Sequence, residues 1–476
     1  MVGTPLPQPP PGRPTDPPVD PRGDGGPAVF GRDLGNAQIK RLLWRAGFGP
    51  TPGQVDALAG TGLQDIVYSL TRPQGDATLA GAEPRDKNGP IAPLDAWGHD
   101  HLWWLDRMVR SDQQLVERMT LIWHDWFATS NDQVGNVRLM MGQNELFRSG
   151  ALGSFKDLVL GVTQDPAMLV FLNGIENRKG AINENYAREL MELFTLGAGR
   201  GAYTEQDVRQ LGMALSGWRA DWVDGTGWTN FRYDDRRHDH STKTVFGKAG
   251  DFGWQDAVKL VLENDHHASF FVTKLWSYFV PTPPDSQTQA ALQKLYLDSG
   301  YGIRPVVEAI LMHPDFHDGP AMVKPPVVFN AGLLRTLGRT IDRGEWSWLG
   351  SMMGQVLFNP PNVSGWDDSM WLDTSTWRGR FQTAGYALMP TTGWAPSIDP
   401  WKSGYSSTED PETAVTRALD FLNNPVVTSD TRDVLLAFAR DCLPSTMKSW
   451  EKGPYRAMRQ NALRQLVATS PDFHTC

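Results

Sequence analysis

Cysteine is nearly absent: Cys442 and Cys476 are the only two thiols in 476 residues. That rules out a disulfide framework and a thiolate-rich zinc site, and with no haem-attachment motif it argues against a redox protein. Long apolar runs are missing too. No stretch of about 18 apolar residues occurs, so no transmembrane segment is expected. The N-terminus lacks a basic stretch followed by an apolar one, so no secretory signal is visible. The expectation is a cytoplasmic chain, one that leaves with a partner, or one whose signal lies upstream. Basic clusters are scarce and the net charge is -9, which argues against nucleic acid as a partner. There is no phosphate-binding P-loop, no dinucleotide glycine fingerprint, no G-x-S-x-G elbow and no H-E-x-x-H. The glycine-rich "RAGFGPTPG" at 45–53 follows a helix and reads as a turn with a Thr51 cap and Pro52 at the first helical position.

What remains is globular in composition, with 40% hydrophobic and 21% charged residues, enough to bury a substantial core. Residues 1–32 are rich in Pro, Gly and Asp and read as a flexible tail, because they bury too little to offset ordering entropy. Residues 33–476 read as one large helical domain, with a candidate sub-boundary near 390–408. Apolar spacings of three and four predict helices over 36–46, 51–59, 94–110, 113–128, 153–163, 204–218, 266–280, 303–312 and 325–337. The fold class is therefore mostly α. Two excursions interrupt it. Residues 218–246 combine alternating runs with a "DGTG" turn and suit a small β-hairpin or irregular loop, and 358–380 is too rich in Pro, Gly and Asn for a continuous helix. Among 19 tryptophans, Trp218, Trp222, Trp228, Trp366 and Trp371 lie in such stretches. They either pin loops down or present flat rings to a ligand.

The stretch "NENYARELMELFTLG", 183–197, concentrates charge on one helix. With Asn185 at zero and an advance of about 100° per residue, Glu189, Glu192 and Arg188 fall within about 60° of it, and Leu190, Met191 and Phe194 lie opposite. Two readings stay open. The face is solvated, with Glu184–Arg188 and Arg188–Glu192 pairs worth about 0.2 to 0.5 kcal/mol each. Alternatively it turns inward, and two carboxylates spaced i,i+3 converge as metal ligands or as an acid and base.

The inward reading needs positive charge or metal from elsewhere. "RRHDHS" offers His238, Asp239 and His240, so a divalent metal held by His238, His240, Glu189 and Glu192 is chemically adequate. Glu189, Glu192, His238 and Asp239 are the candidate catalytic groups. Asn183, Asn185, Arg188, Asn362 and Trp366 are candidate contacts to a glycan or other hydroxyl-rich substrate. His124, among Trp123, Trp126 and Phe127, is either a satisfied core histidine or a ligand or base. The competing function is a non-catalytic scaffold in which the charged cluster orders helices and exposed tryptophans dock a partner.

Taken together, "LLWRAGFGPTPGQVDAL", "ERMTLIWHDWFATS", "NENYARELMELFTLG", "YTEQDVRQLGMALSGW", "FVTKLWSYFV" and "PPNVSGWDD" resemble, in order, a bacterial family catalogued as a domain of unknown function, DUF1800. The resemblance implies no activity. It does imply an envelope-associated or co-exported protein and a partner of sulfatase-like fold, since such genes often neighbour family members. It also implies a pocket-lining role for Asn183, Glu184, Asn185, Arg188, Glu189 and Glu192, on which the signature centres. Near positions 124–126 the resemblance implies a histidine or asparagine-histidine pair, where Asp125 and Trp126 leave this chain His124 alone.

Overall fold

The computed structural model describes residues 34–389 and 409–476. The tail at 1–32 and the candidate sub-boundary near 390–408 fall outside the described residues. The expected helices are present with trimmed ends, among them Asn36–Arg45, His99–Arg110, Gln114–Trp126, Phe155–Thr163, Glu205–Ala214, His267–Ser277, Ile303–Met312 and Pro326–Thr336. The trimming follows capping chemistry. Thr204 Oγ1 accepts from the Asp207 N–H while Asp207 Oδ2 accepts from the Thr204 N–H, a capping box that starts the Glu205–Ala214 helix. Gly98, at φ 77°, breaks the chain before His99, so the helix expected from 94 begins five residues later. The Thr51 cap is not formed. Gly53 takes the cap position of the Gln54–Leu58 helix at φ 76°, and the Gln54 side chain reaches back to the Thr51 N–H at 3.0 Å.

Buried hydrophobic residues from Leu34 to Phe473 form one continuous cluster, with Trp104, Trp123, Trp126 and Trp276 fully enclosed. Among the described residues no helix is long and apolar enough to cross a membrane. The Gln114–Trp126 helix crosses this core, and Trp126 lies against both Phe271 and Tyr278. Among the described residues the sheets are small antiparallel pairs. Trp218–Val223 pairs with Gly227–Tyr233 around the "DGTG" turn, with Trp222 opposite Trp228. Lys243–Val245 pairs with Lys248–Gly250, so the excursion holds two hairpins and runs four residues past 246. Of the loop tryptophans, Trp218 and Trp366 are buried and pin their loops, whereas Trp222 is 60% exposed.

Candidate functional site

The 183–197 stretch is helical, and it changes pitch midway. Asn185–Glu189 is α-helical and Leu190–Thr195 is a π-helix. The Leu196 and Gly197 N–H groups both reach the Met191 carbonyl, at 2.9 and 3.2 Å, and Thr195 Oγ1 donates to the Leu190 carbonyl. A wheel of constant pitch therefore misplaces residues beyond 190. The carbonyls left open at the end of the π-helix are each taken by a side chain. Lys274 Nζ donates to Leu193 at 3.0 Å, Trp126 Nε1 to Phe194 at 3.0 Å, His267 Nδ1 to Thr195 at 2.9 Å and Arg200 Nη1 to Leu196 at 3.0 Å. His267 Nε2 also accepts from Tyr296 Oη at 2.8 Å, and burial takes its imidazole down to about 4. This is a satisfied, neutral core histidine that holds the π turn in place. Single π turns are uncommon and recur at functional sites.

The charged face is half-buried, between the two readings of the sequence. Arg188 pairs with Glu205 through two bonds of 2.9 and 2.8 Å and lies 3.7 Å from Glu184. That takes the arginine away from Glu192. Glu189 makes no hydrogen bond or ion pair among the described residues, and its carboxyl is raised above the usual range by burial and then by the neighbouring Glu192 charge, with Arg188 opposing. Glu192 accepts from Tyr203 Oη at 3.4 Å, and the phenol is pushed up to about 12 by burial and the Glu192 charge. Two neighbouring carboxyls in unequal environments, with Arg188 bonded to Glu205 rather than to either of them, are chemically able to divide acid and base roles. The asparagines have structural work. Asn183 Oδ1 accepts from the Asn185 N–H at 3.0 Å to start the helix, and Asn185 Nδ2 donates to Asn173 Oδ1 at 3.0 Å.

The histidines assemble elsewhere. His238, His240 and Asp251 bring their ligand atoms within 4.8 Å of one another. His238 Nδ1 lies 2.9 Å from the Ser216 carbonyl, which aims Nε2 into the cluster. Lys243, fully buried, enters the same space: its Nζ is 2.7 Å from Asp251 Oδ1 and 3.4 Å from His238 Nε2. The lysine ammonium thus supplies the positive charge that a metal would bring. Asp239 faces away into a local turn, accepting from the Ser241 N–H at 2.9 Å. Glu192 meets Tyr203, just before the Glu205–Ala214 helix begins, and His238 meets Ser216, just after it ends. A ten-residue helix rises about 15 Å. Glu192 and His238 are therefore at opposite ends of one helix, and among the described residues the imidazoles gather with Asp251 rather than with Glu189 and Glu192.

A third cluster escaped the sequence reading. Asp125 Oδ2 accepts from Tyr278 Oη at 2.7 Å, and Oδ1 accepts from the Trp366 N–H at 2.7 Å. Burial raises the Asp125 carboxyl and brings the facing Lys274 amine down to about 8, the two charges opposing these shifts in each other. Arg118, buried beside them, has an Nε without a partner, and burial brings its guanidinium down to about 10. Lys274 and Tyr278 are spaced i,i+4 in "KLWSY", which puts both on one helix face and was the available signal. Trp366 contributes its backbone to this cluster, while its ring packs 5.5 Å from His124 inside the core. It is not an exposed stacking platform. Asn362 is at the surface, where its Oδ1 accepts from the Ser364 N–H at 2.8 Å. His124 fits neither expectation. Among the described residues both ring nitrogens lack partners, and Trp104, Phe147, Phe358 and Trp366 enclose it. Burial takes its imidazole down to about 3.

A family model described as "Protein of unknown function (DUF1800)" matches residues 41–475. No curated protein and no solved structure matches the chain.

Proposed function

Because the chain belongs to the DUF1800 family of unknown function, its chemistry has to be read from its own residues, and we propose that Glu189 and Glu192 form a metal-free acid and base pair acting in hydrolysis of an uncharged, hydroxyl-rich substrate such as a glycan. The observation that carries this reading is Glu189: half-buried, without a hydrogen-bond partner among the described residues, and raised by burial and then by the adjacent Glu192. A carboxyl raised in that way is suited to donating a proton to a leaving oxygen, and Glu192, opposite Tyr203, is the neighbouring carboxyl placed to activate water. Two carboxylates repel anionic substrates, which favours neutral sugars. Lys243 supports the metal-free form, since an ammonium among His238, His240 and Asp251 opposes a second cation.

The test is release of reducing ends from a panel of neutral polysaccharides by the native chain and by Glu189→Gln. Turnover by the native chain that falls about 100-fold or more in a folded Glu189→Gln variant supports the reading. Equal rates in the two, or no product from any member of the panel, overturn it. The scaffold reading draws on one feature, the 60% exposed Trp222 at the hairpin, a ring suited to docking a protein partner such as one of sulfatase-like fold. Under that reading Glu189→Gln leaves binding intact and Trp222→Ala removes it.

A further inference from the structure

A cavity of about 360 Å³ opens between the Asn36–Arg45 helix, the loop at 422–428 and the last residues of the chain. Its size is in the range of small-molecule sites. Three cations line it, Lys40, Arg41 and Lys324, against apolar walls that include Trp44, Val427 and Phe473. Two negative groups share its wall against these three cations: Asp472, engaged by the Thr428 N–H at 2.7 Å and Oγ1 at 3.0 Å, and the main-chain end of Cys476, whose oxygen accepts from Arg45 Nη2 at 2.7 Å. The excess charge in the cavity is therefore positive.

Lys324 is the informative residue. It is 2% exposed, donates to the Phe473 carbonyl at 2.6 Å, and stands 3.7 Å from the Trp44 ring centroid and 4.8 Å from that of Phe473. No ion pair to a carboxylate forms among the described residues. An ammonium has three donors, and one carbonyl with two ring faces leaves its desolvation only partly offset. Burial accordingly takes the amine down to about 7, with Cys476 opposing the shift and Arg380 adding to it. A negative group in the cavity would complete the pairing that the Cys476 charge, itself bound by Arg45, leaves partial, and a hydrocarbon body would fill the space beside Trp44 and Val427.

We propose that this cavity binds a small amphiphilic organic anion, a carboxylate with an apolar body, its head held by Lys324 and its body lying against Trp44 and Val427. The site is remote in sequence from the Glu189 pair and stands or falls independently of it.

Isothermal titration of the full chain with octanoate, and with octan-1-ol as the neutral control, tests the proposal. One octanoate per chain is expected, bound at least tenfold more tightly than the alcohol. Lys324→Met, which keeps the side-chain volume, is expected to bring octanoate to the level of the alcohol. Val427→Trp, which fills the cavity and leaves Lys324 in place, is expected to abolish both and carries the test if Lys324→Met does not fold. Equal affinity for acid and alcohol, no saturable heat, or octanoate binding unchanged by Val427→Trp overturns the proposal.

Discussion

Gly365 approaches Asp125 so closely that a methyl group on its Cα would come within 2.3 Å of the Asp125 Oδ1 carboxylate oxygen. Gly365 also stands at φ 97°, a conformation that side-chain-bearing residues avoid. The loop "SGWDD" can therefore bring the Trp366 N–H to Asp125 only through a glycine. Gly365→Ala is expected to destabilise the chain by well over about 1 kcal/mol, read as a lower urea midpoint with unchanged slope.

Tyr278 is the other group that satisfies Asp125. Tyr278→Phe removes the 2.7 Å donor and leaves a buried carboxylate oxygen unpaired, at a cost of about 1 to 3 kcal/mol. The measurement is urea unfolding at pH 7. Unchanged stability contradicts the bond's importance.

His124 makes the acid limit of stability predictable. Its folded imidazole is near 3 and an unfolded one near 6.5, so the unfolded chain takes up a proton that the folded chain refuses. Stability is retained above pH 6.5 and falls by about 1.4 kcal/mol per unit as pH drops toward 3. His267, taken down to about 4, adds a second proton in the same window. His124→Phe breaks no hydrogen bond, so it is expected to hold stability at pH 7 within about 1.5 kcal/mol and to flatten the acid slope by one proton. Equal slopes in urea unfolding from pH 7 to 5 contradict this account.

Lys243 Nζ, 2.7 Å from Asp251 Oδ1 and 3.4 Å from His238 Nε2, competes with a metal for the histidine cluster. Zinc is expected to leave the melting temperature of the native chain unchanged. It is expected to raise that of Lys243→Ala, in which His238, His240 and Asp251 are freed to ligate. Stabilisation of the native chain by zinc contradicts the reading of Lys243 as the resident cation.

Helix positions were legible in the sequence because apolar spacing and cap residues act locally, as at Thr204 and Asp207. The charged face of 183–197 was legible as far as Glu189, where α geometry ends. Beyond it the π turn is set by tertiary partners, Lys274, Trp126 and His267, which lie 68 or more residues from the carbonyls they bond and leave no mark on the local pattern. The meeting of carboxylates and histidines failed for a related reason. Both belong to one stretch of sequence, but the Glu205–Ala214 helix between them acts as a rigid spacer. Asp251 joins His238 only because a second hairpin folds it back, and that hairpin was read as part of a single excursion.

Glu189 is claimed above all to hold its proton abnormally well because it is half-buried and Glu192 stands beside it. A raised carboxyl favours the folded state at low pH and loses that advantage as pH rises through its folded value, so Glu189→Gln should stabilise the chain at pH 7 and not at pH 4. The most direct measurement is a ¹³C carboxyl NMR titration of glutamate-labelled protein. The account predicts a resonance that titrates above 4.5, disappears in Glu189→Gln and moves to lower pH in Glu192→Gln. A Glu189 resonance that titrates at or below 4.5 and ignores Glu192→Gln contradicts it.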